Sequence, residues 1–292
     1  MHLIKALLAQ INPYTGDIKR NIKKHLDFIE KARKEGASLV IFPELSLTGY
    51  FLKDSIYDLG VNINKEGPGI FGPLYEASKN VSIIAGFVER DDNFNFYNSS
   101  FCLSRGKVLH VHRKVYLPTY GMFEELRYFK PGSGFNVFDL SEGRSARARA
   151  SILTCEDAWH LSSSYICVNK GANIIIINSA SPARGIASIL DKFSSINMWE
   201  ELLSVIAFYY KSYVIYANRV GFEDGVGFSG GSCVFTPHGE MDSCAGYLNE
   251  SSLKIEINLD LLNSERFKTP LIRDENLHLT FREIQDIIGS KK

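Results

Sequence analysis

Between Leu3 and Phe42 the hydrophobic pattern changes period twice, and this restricts the fold more than any other stretch of the chain. Leu3 to Ala9 is an apolar run of strand length, closed by Asn12-Pro13. Asp17 to Glu35 then sets Ile18, Ile22, Leu26, Ile29 and Ala32 at helical spacing, with Gly36 as the stop. Ser38 to Phe42 returns to a continuous apolar run and delivers Glu44 at its end. A strand, an amphipathic helix and a second strand in such quick succession are an α/β signature.

The same rhythm runs on. A helix around Phe71 to Lys79 leads to a strand at Val81 to Phe87, and Phe96 to Ser104 and Val108 to Lys114 read as a hairpin turning at Arg105-Gly106. After a turn-rich stretch ending Lys130-Pro131-Gly132, strands are expected near Phe135 to Leu140 and Arg147 to Thr154. A helix near Trp159 to Asn169 leads to a strand at Ile174 to Asn178. A long helix from about Ala187 to Tyr210 leads to another at Val214 to Asn218. Short strands follow at Ser232 to Phe235 and Leu253 to Ile257, and the glycines from Gly225 to Gly231 read as a turn before a strand. No composition break marks a linker, so residues 1–292 are expected to form a single domain. Residues 270–292 then form a polar tail that packs on the body or on a second subunit. The longest apolar region, Leu202 to Ala217, is broken by Ser204, Lys211 and Ser212 and is too short for a membrane span. It reads as a buried helix running into a buried strand.

Charge decides which partners are poorly supported. Lys+Arg and Asp+Glu are both 33, and no long basic tract exists, which argues against nucleic acid and against an anionic membrane surface. The 5 cysteines are widely spaced and never in a Cys-x-x-Cys, so neither a disulfide framework nor a zinc site is expected. A reducing cytoplasm fits that usage, and the start of the chain carries no targeting signal. The 7 histidines form no metal-binding spacing, and no metal or organic cofactor is expected.

Three reactive groups stand at three expected strand ends: Glu44 in Phe42-Pro43-Glu44-Leu45, Lys114 in His112-Arg113-Lys114-Val115, and Cys155 in Thr154-Cys155-Glu156-Asp157. In open α/β sheets functional side chains gather beyond the carboxyl ends of the strands, so the three can converge. Their chemistry is complementary. A thiol is activated by a neighbouring ammonium or by a carboxylate that takes its proton, and an ammonium also stabilises an oxyanion. Other roles remain open for their neighbours. Asp157 suits a helix cap, Trp159 a core residue or a substrate wall, and His110, His112 and His160 packing or surface positions.

These blocks resemble the nitrilase, or carbon–nitrogen hydrolase, superfamily. The likeness runs over roughly residues 3 to 260 and includes Ala9-Gln10-Ile11-Asn12-Pro13, Thr48-Gly49-Tyr50, Arg113-Lys114-Val115-Tyr116-Leu117-Pro118, Asn218-Arg219-Val220-Gly221 and Gly230-Gly231-Ser232. It implies a four-layer α-β-β-α sandwich, a thiol hydrolase of non-peptide C–N bonds, and usually a homodimer or larger oligomer. By resemblance Glu44 is the general base, Lys114 the oxyanion lysine, Cys155 the nucleophile and Glu125 a second, substrate-orienting glutamate. Within the superfamily the chain is similar to the glutaminase domain of glutamine-dependent NAD synthetase. That likeness implies substrate-binding roles for Tyr120, Glu156 and Ser181, and Tyr50 and Trp159 join them as expected pocket residues. The chain departs from that branch in two ways: it ends near the end of the hydrolase domain, and Ile186-Ala187 stands where a basic residue is common. The expected activity is cleavage of a small linear amide. The alternatives are an N-carbamoyl amidase or nitrilase, an ammonia-supplying subunit that depends on a separate synthetase partner, and a non-catalytic binding module.

Overall fold

Alternation within single strands decides how many layers the molecule has. In the strand Ile174–Ser179, Ile174 and Ile176 join one buried cluster while Ile175 and Ile177 join another. In the strand Leu3–Gln10, Ala6 and Leu8 share the first cluster, and Leu7 and Ala9 belong to a third. Strands buried on both faces read as unbroken apolar runs, and each such sheet needs a covering layer on either side.

The structure is a computed structural model that describes residues 3–140, 148–185 and 193–290. The strands are β1 (Leu3–Gln10), β2 (Leu39–Ile41), β3 (Ser82–Arg90), β4 (Phe96–Ser104), β5 (Lys107–Arg113), β6 (Phe138–Asp139) and β7 (Arg149–Thr154). They continue as β8 (Ile174–Ser179), β9 (Tyr213–Asn218), β10 (Val220–Glu223), β11 (Val226–Ser229), β12 (Cys233–Phe235), β13 (Met241–Cys244) and β14 (Ser251–Asn258). One 6-stranded sheet has the order β14-β1-β2-β3-β4-β5 and the other β13-β12-β9-β8-β7-β6. Each contains three neighbouring parallel strands, β1-β2-β3 and β7-β8-β9, flanked by antiparallel ones.

The inner faces of the two sheets meet in one core that includes Leu8, Ile41, Ile84, Ile152, Ile176 and Ile215. The helix Ile18–Lys34 covers the first sheet with Ile22, Ile29 and Ala32, and the Asp17 carboxylate caps it by accepting from the Arg20 N–H at 3.0 Å. The helices Leu161–Asn169 and Ser194–Tyr210 cover the second sheet through Cys167, Val168, Trp199, Leu203 and Ile206. The result is the expected α-β-β-α sandwich.

Several expectations change in detail. The helix expected over Phe71 to Lys79 is two short segments, Gly67–Ile70 and Gly72–Ala77, each started by a proline in its first turn. The expected strand at Phe135 to Leu140 contracts to β6. The early starts expected at Arg147 and Ala187 lie outside the described residues. The stretch from Gly225 to Gly231 is half strand: Val226–Ser229 pairs with Val220–Glu223 before the turn at Gly230. The Ser194–Tyr210 helix is buried on one face only, because Met198, Val205, Phe208 and Tyr209 are exposed. The C-terminal stretch contains a helix, Leu277–Ser290, whose apolar residues Leu279, Phe281, Ile284, Ile287 and Ile288 all face solvent. Among the described residues no helix is long and apolar enough to cross a membrane.

Candidate active site

Glu44 leaves the end of β2 on a tight turn. The next residue, Leu45, takes φ 47°, and the turn presses onto Gly86 of β3, where a Cβ would lie 2.2 Å from the Leu45 nitrogen. Only glycine permits that approach. The Glu44 carboxylate is fully buried. Its Oε1 accepts from Lys114 Nζ and from Asn98 Nδ2, both at 2.8 Å, and its Oε2 accepts from the Ala180 N–H at 2.8 Å.

Lys114 directly follows β5, and its own N–H donates to the Asn98 carbonyl. Its buried ammonium also donates to Glu125 Oε1 at 2.6 Å. That oxygen accepts from the Tyr50 hydroxyl at 2.6 Å, while Glu125 Oε2 takes a longer bond of 3.3 Å from Asn98 Nδ2. The ammonium therefore sits buried between two carboxylates. Burial alone would lower the Lys114 pKa, but the charges of Glu125 and Glu44 outweigh it and hold the group well above its ordinary value. Burial lifts the Glu125 carboxyl above the usual range against the pull of Lys114. Burial, then the Glu125 charge, pushes the Tyr50 phenol well up, so it stays a donor.

Cys155 directly follows β7 with φ 45°, a left-handed conformation unfavourable to any side chain with a Cβ, and opens a short 3₁₀ turn, Cys155–Trp159. Its sulfur lies 3.5 Å from the Ser179 hydroxyl, which donates to it. Burial first, then the Glu44 charge, raises the thiol pKa far above its ordinary value, and Lys114 and the Ser179 hydrogen bond only partly offset this. At neutral pH this group is a thiol, so any role as a nucleophile would call for a base.

Asp157 ties these pieces together. Its fully buried carboxylate accepts from the Val115 N–H (3.0 Å) and Tyr116 N–H (2.9 Å) just after Lys114, and from the Thr154 N–H (3.0 Å) just before Cys155. His112 Nε2 lies 2.7 Å from its second oxygen. The capping role expected for Asp157 is therefore part of a larger one, joining the lysine loop of one sheet to the cysteine turn of the other.

A cavity of about 180 Å³ opens above the cysteine, and Tyr120, Cys155, Glu156, Trp159 and Ser181 all line it. The Tyr120 hydroxyl donates to Glu156 Oε2 at 2.8 Å, and Trp199 Nε1 donates to Ser181 Oγ at 2.8 Å. Trp159 meets Trp199 edge-on with ring centres 5.0 Å apart. Arg184, unremarked in the sequence, joins the lining and holds its guanidinium 5.2 Å from the Phe123 ring centre. Tyr50 does not line this cavity. It faces a second one of about 270 Å³, together with Glu125, Lys53 and Asp224. Thus Glu44, Lys114, Glu125 and Tyr50 form one buried cluster, and the other expected residues form the cleft beside it. Sequence reasoning missed Asn98, Ser179 and the Ala180 N–H. The polar run Asn98-Ser99-Ser100 inside an otherwise apolar strand is the signal that marks Asn98. Among the described residues no group of three or more His, Cys, Asp or Glu side chains is placed to hold a metal ion.

Two sheets face to face between helical layers, with reactive groups gathered at strand ends, define an α/β sandwich of the nitrilase type. The chain belongs to the carbon–nitrogen hydrolase family, whose profile matches residues 5–267, and it is a carbon–nitrogen hydrolase. It is 31% identical over 264 residues to a glutamine-dependent NAD(+) synthetase of Thermotoga maritima, a match covering 89% of this chain and 43% of that protein. The chain thus spans less than half the length of that relative. A nitrilase of Pyrococcus abyssi is 28% identical over 285 residues, covering 96% of this chain and 100% of the relative. The crystal structure of a carbon–nitrogen hydrolase from Helicobacter pylori G27 superimposes with a TM-score of 0.82 at 29% identity, covering 95% of this chain and 97% of that one.

Proposed function

We propose that the protein hydrolyses a small linear amide, in the manner of a glutaminase, through a thioester on Cys155. The observation that carries this reading is the buried Glu44–Lys114–Glu125 cluster beside a cysteine whose thiol cannot ionise unaided. Glu44 takes the thiol proton as Sγ bonds to the amide carbon. Lys114 and the Glu156 backbone N–H hold the oxygen that becomes negative in the tetrahedral intermediate. The C–N bond breaks, ammonia leaves with the proton from Glu44, and the acyl group remains on sulfur. Glu44 then takes a proton from water as its oxygen attacks the thioester carbon. The second intermediate collapses to the acid, and the proton returns to sulfur. Glu125, itself held by Tyr50 and Asn98, fixes Lys114 and orients the substrate nitrogen.

The cavity supports a small substrate, since 180 Å³ is below the roughly 300–1,000 Å³ of pockets for drug-sized ligands. Glu156 and Arg184 offer opposite charges in its lining, which suits an amide whose far end carries an ammonium and a carboxylate, such as glutamine. The test is ammonia release from a panel containing glutamine, asparagine, N-carbamoyl amines and simple nitriles, with Cys155→Ala as control. Turnover of glutamine that the mutation abolishes is the expected result. Preference for the carbamoyl compounds or nitriles would replace this reading with one of those chemistries.

A second reading concerns partners. The likeness to a glutamine-dependent NAD(+) synthetase supports a reading in which this chain supplies ammonia to a synthetase partner, and a rise in glutaminase rate on adding that synthetase would support it. The exposed apolar faces of Ser194–Tyr210 and Leu277–Ser290 suit a second copy of this chain. Light scattering should then give about twice the 32.8 kDa chain mass. Five free cysteines suit a reducing cytoplasm.

A further inference from the structure

Of two sequence blocks, Thr48-Gly49-Tyr50 and Asn218-Arg219-Val220-Gly221, only the Tyr50 hydroxyl enters the chemistry above, yet the blocks meet in space. Arg219 follows β9 and is fully buried. Its Nη1 is ion-paired with Glu223 Oε2 at the end of β10, its Nη2 donates to Asn12 Oδ1 at 3.3 Å, and its guanidinium stands 4.1 Å from the Phe228 ring centre. The other Glu223 oxygen accepts from the Tyr50 N–H at 2.8 Å and from the Phe51 N–H at 2.6 Å. Gly49 lies against that carboxylate at φ +88°, where a Cβ would stand 2.8 Å from Thr15 Cα and 3.2 Å from Glu223 Oε1. The Tyr50 side chain then reaches Glu125 Oε1, the same oxygen that accepts from Lys114.

A buried ion pair is a poor source of stability, because desolvating both charges cancels most of their attraction and packed apolar residues do as well or better. Apolar residues cannot, however, fix two consecutive backbone N–H groups against a single atom. A carboxylate anchored by a guanidinium does so. The Tyr50 ring is held as well, by Phe51 at 5.0 Å and Phe228 at 6.2 Å between ring centres, so a fixed backbone gives a fixed hydroxyl.

We propose that Arg219 and Glu223 are positioning residues of the active site. Through the Tyr50 and Phe51 N–H groups they set the place of the Tyr50 hydroxyl, and through it the orientation of Glu125 against Lys114. The kinetic test rests on the amidase reading, and a structural test stands apart from it. Glu223→Gln keeps the volume and removes the charge. It should lower kcat by about 10- to 100-fold, the scale of a misplacement near 1 Å, with KM within about threefold. In a Tyr50→Phe background, where the route is already cut, the same change should cost less than about threefold, a coupling that general destabilisation does not produce. An equal loss in both backgrounds, or an unchanged kcat, overturns the proposal. If Glu223→Gln does not fold, Glu223→Asp, which keeps the charge on a shorter arm, takes its place in the cycle. If the wild-type protein cleaves no amide, the amidase reading fails and crystal structures decide. A Tyr50–Glu125 bond broken in the Glu223 variant supports the proposal, and a bond unmoved from 2.6 Å overturns it.

Discussion

Lys114→Met keeps the length of the arm and deletes the charge, leaving Glu44 and Glu125 buried with no ammonium between them. Removing one partner of a buried ion pair typically costs about 3–5 kcal/mol, and here two carboxylates lose the same partner, so the upper part of that range is expected at pH 8. The pH dependence follows from Glu125. Its carboxyl is already raised by burial, Lys114 is the main influence holding it down, and Glu44 pushes it up. The substitution therefore raises it further. A carboxyl whose folded pKa lies above its unfolded value destabilises the fold above the folded pKa, and that loss fades as pH falls through it. One proton gives a slope of up to about 1.4 kcal/mol per pH unit. The deficit against wild type should be larger at pH 8 than at pH 5, by no more than about 1.4 kcal/mol for each pH unit between them. Urea unfolding followed by the fluorescence of the 2 tryptophans, at both pH values, measures it. A deficit under about 1 kcal/mol at pH 8, or one that does not change with pH, would refute the reasoning.

The raised Cys155 thiol should alkylate with iodoacetamide more slowly at pH 7.5 than a free thiol of pKa about 8.5, with the rate still climbing at pH 9. Peptide mass spectrometry reads this, and a plateau below pH 8 would contradict the geometry. Asp157→Ala strands the buried Thr154 N–H, at about 1–3 kcal/mol, and takes the partner from the half-buried Val115 and Tyr116 N–H groups, so a loss of a few kcal/mol in urea unfolding is expected, with Asp157→Asn milder. If Arg184 holds the substrate carboxylate, Arg184→Gln should raise KM for glutamine at least about tenfold, as befits a hydrogen bond to a charged group. The preference for glutamine over butyramide in kcat/KM should fall by a similar factor.

The layers were legible because they are written in local periodicity. The helix Ile18–Lys34 keeps the expected span to within a residue at each end. Ile174 to Ile177 announces a strand buried on both faces. Glu44, Lys114 and Cys155 could be picked out because strand ends in such folds are where side chains converge. Their partners could not. Asn98 sits beside Glu44 only because β4 pairs with β3 in one particular register, and that register is a long-range fact. The bond between Tyr50 and Glu125 spans 75 residues, and no pattern within either segment contains it. The β10–β11 hairpin was obscured because four-residue strands among glycines carry too few alternations to stand out. The local cap made by Asp157 was visible, whereas its bonds to Val115 and Tyr116 depend on how the two sheets stack.

Glu44 and Lys114 extend from one sheet and Cys155 from the other. On the proposed mechanism, the gap between thiol and base is set by the thickness of the core between the sheets, maintained by side chains such as Ile41, Ile84, Ile152 and Ile176. In that reading, a methyl group removed from that interior alters the reach of the proposed proton transfer as well as the melting temperature. The remote core then works as the spacer of the proposed reaction, and its volume is among the expected determinants of rate.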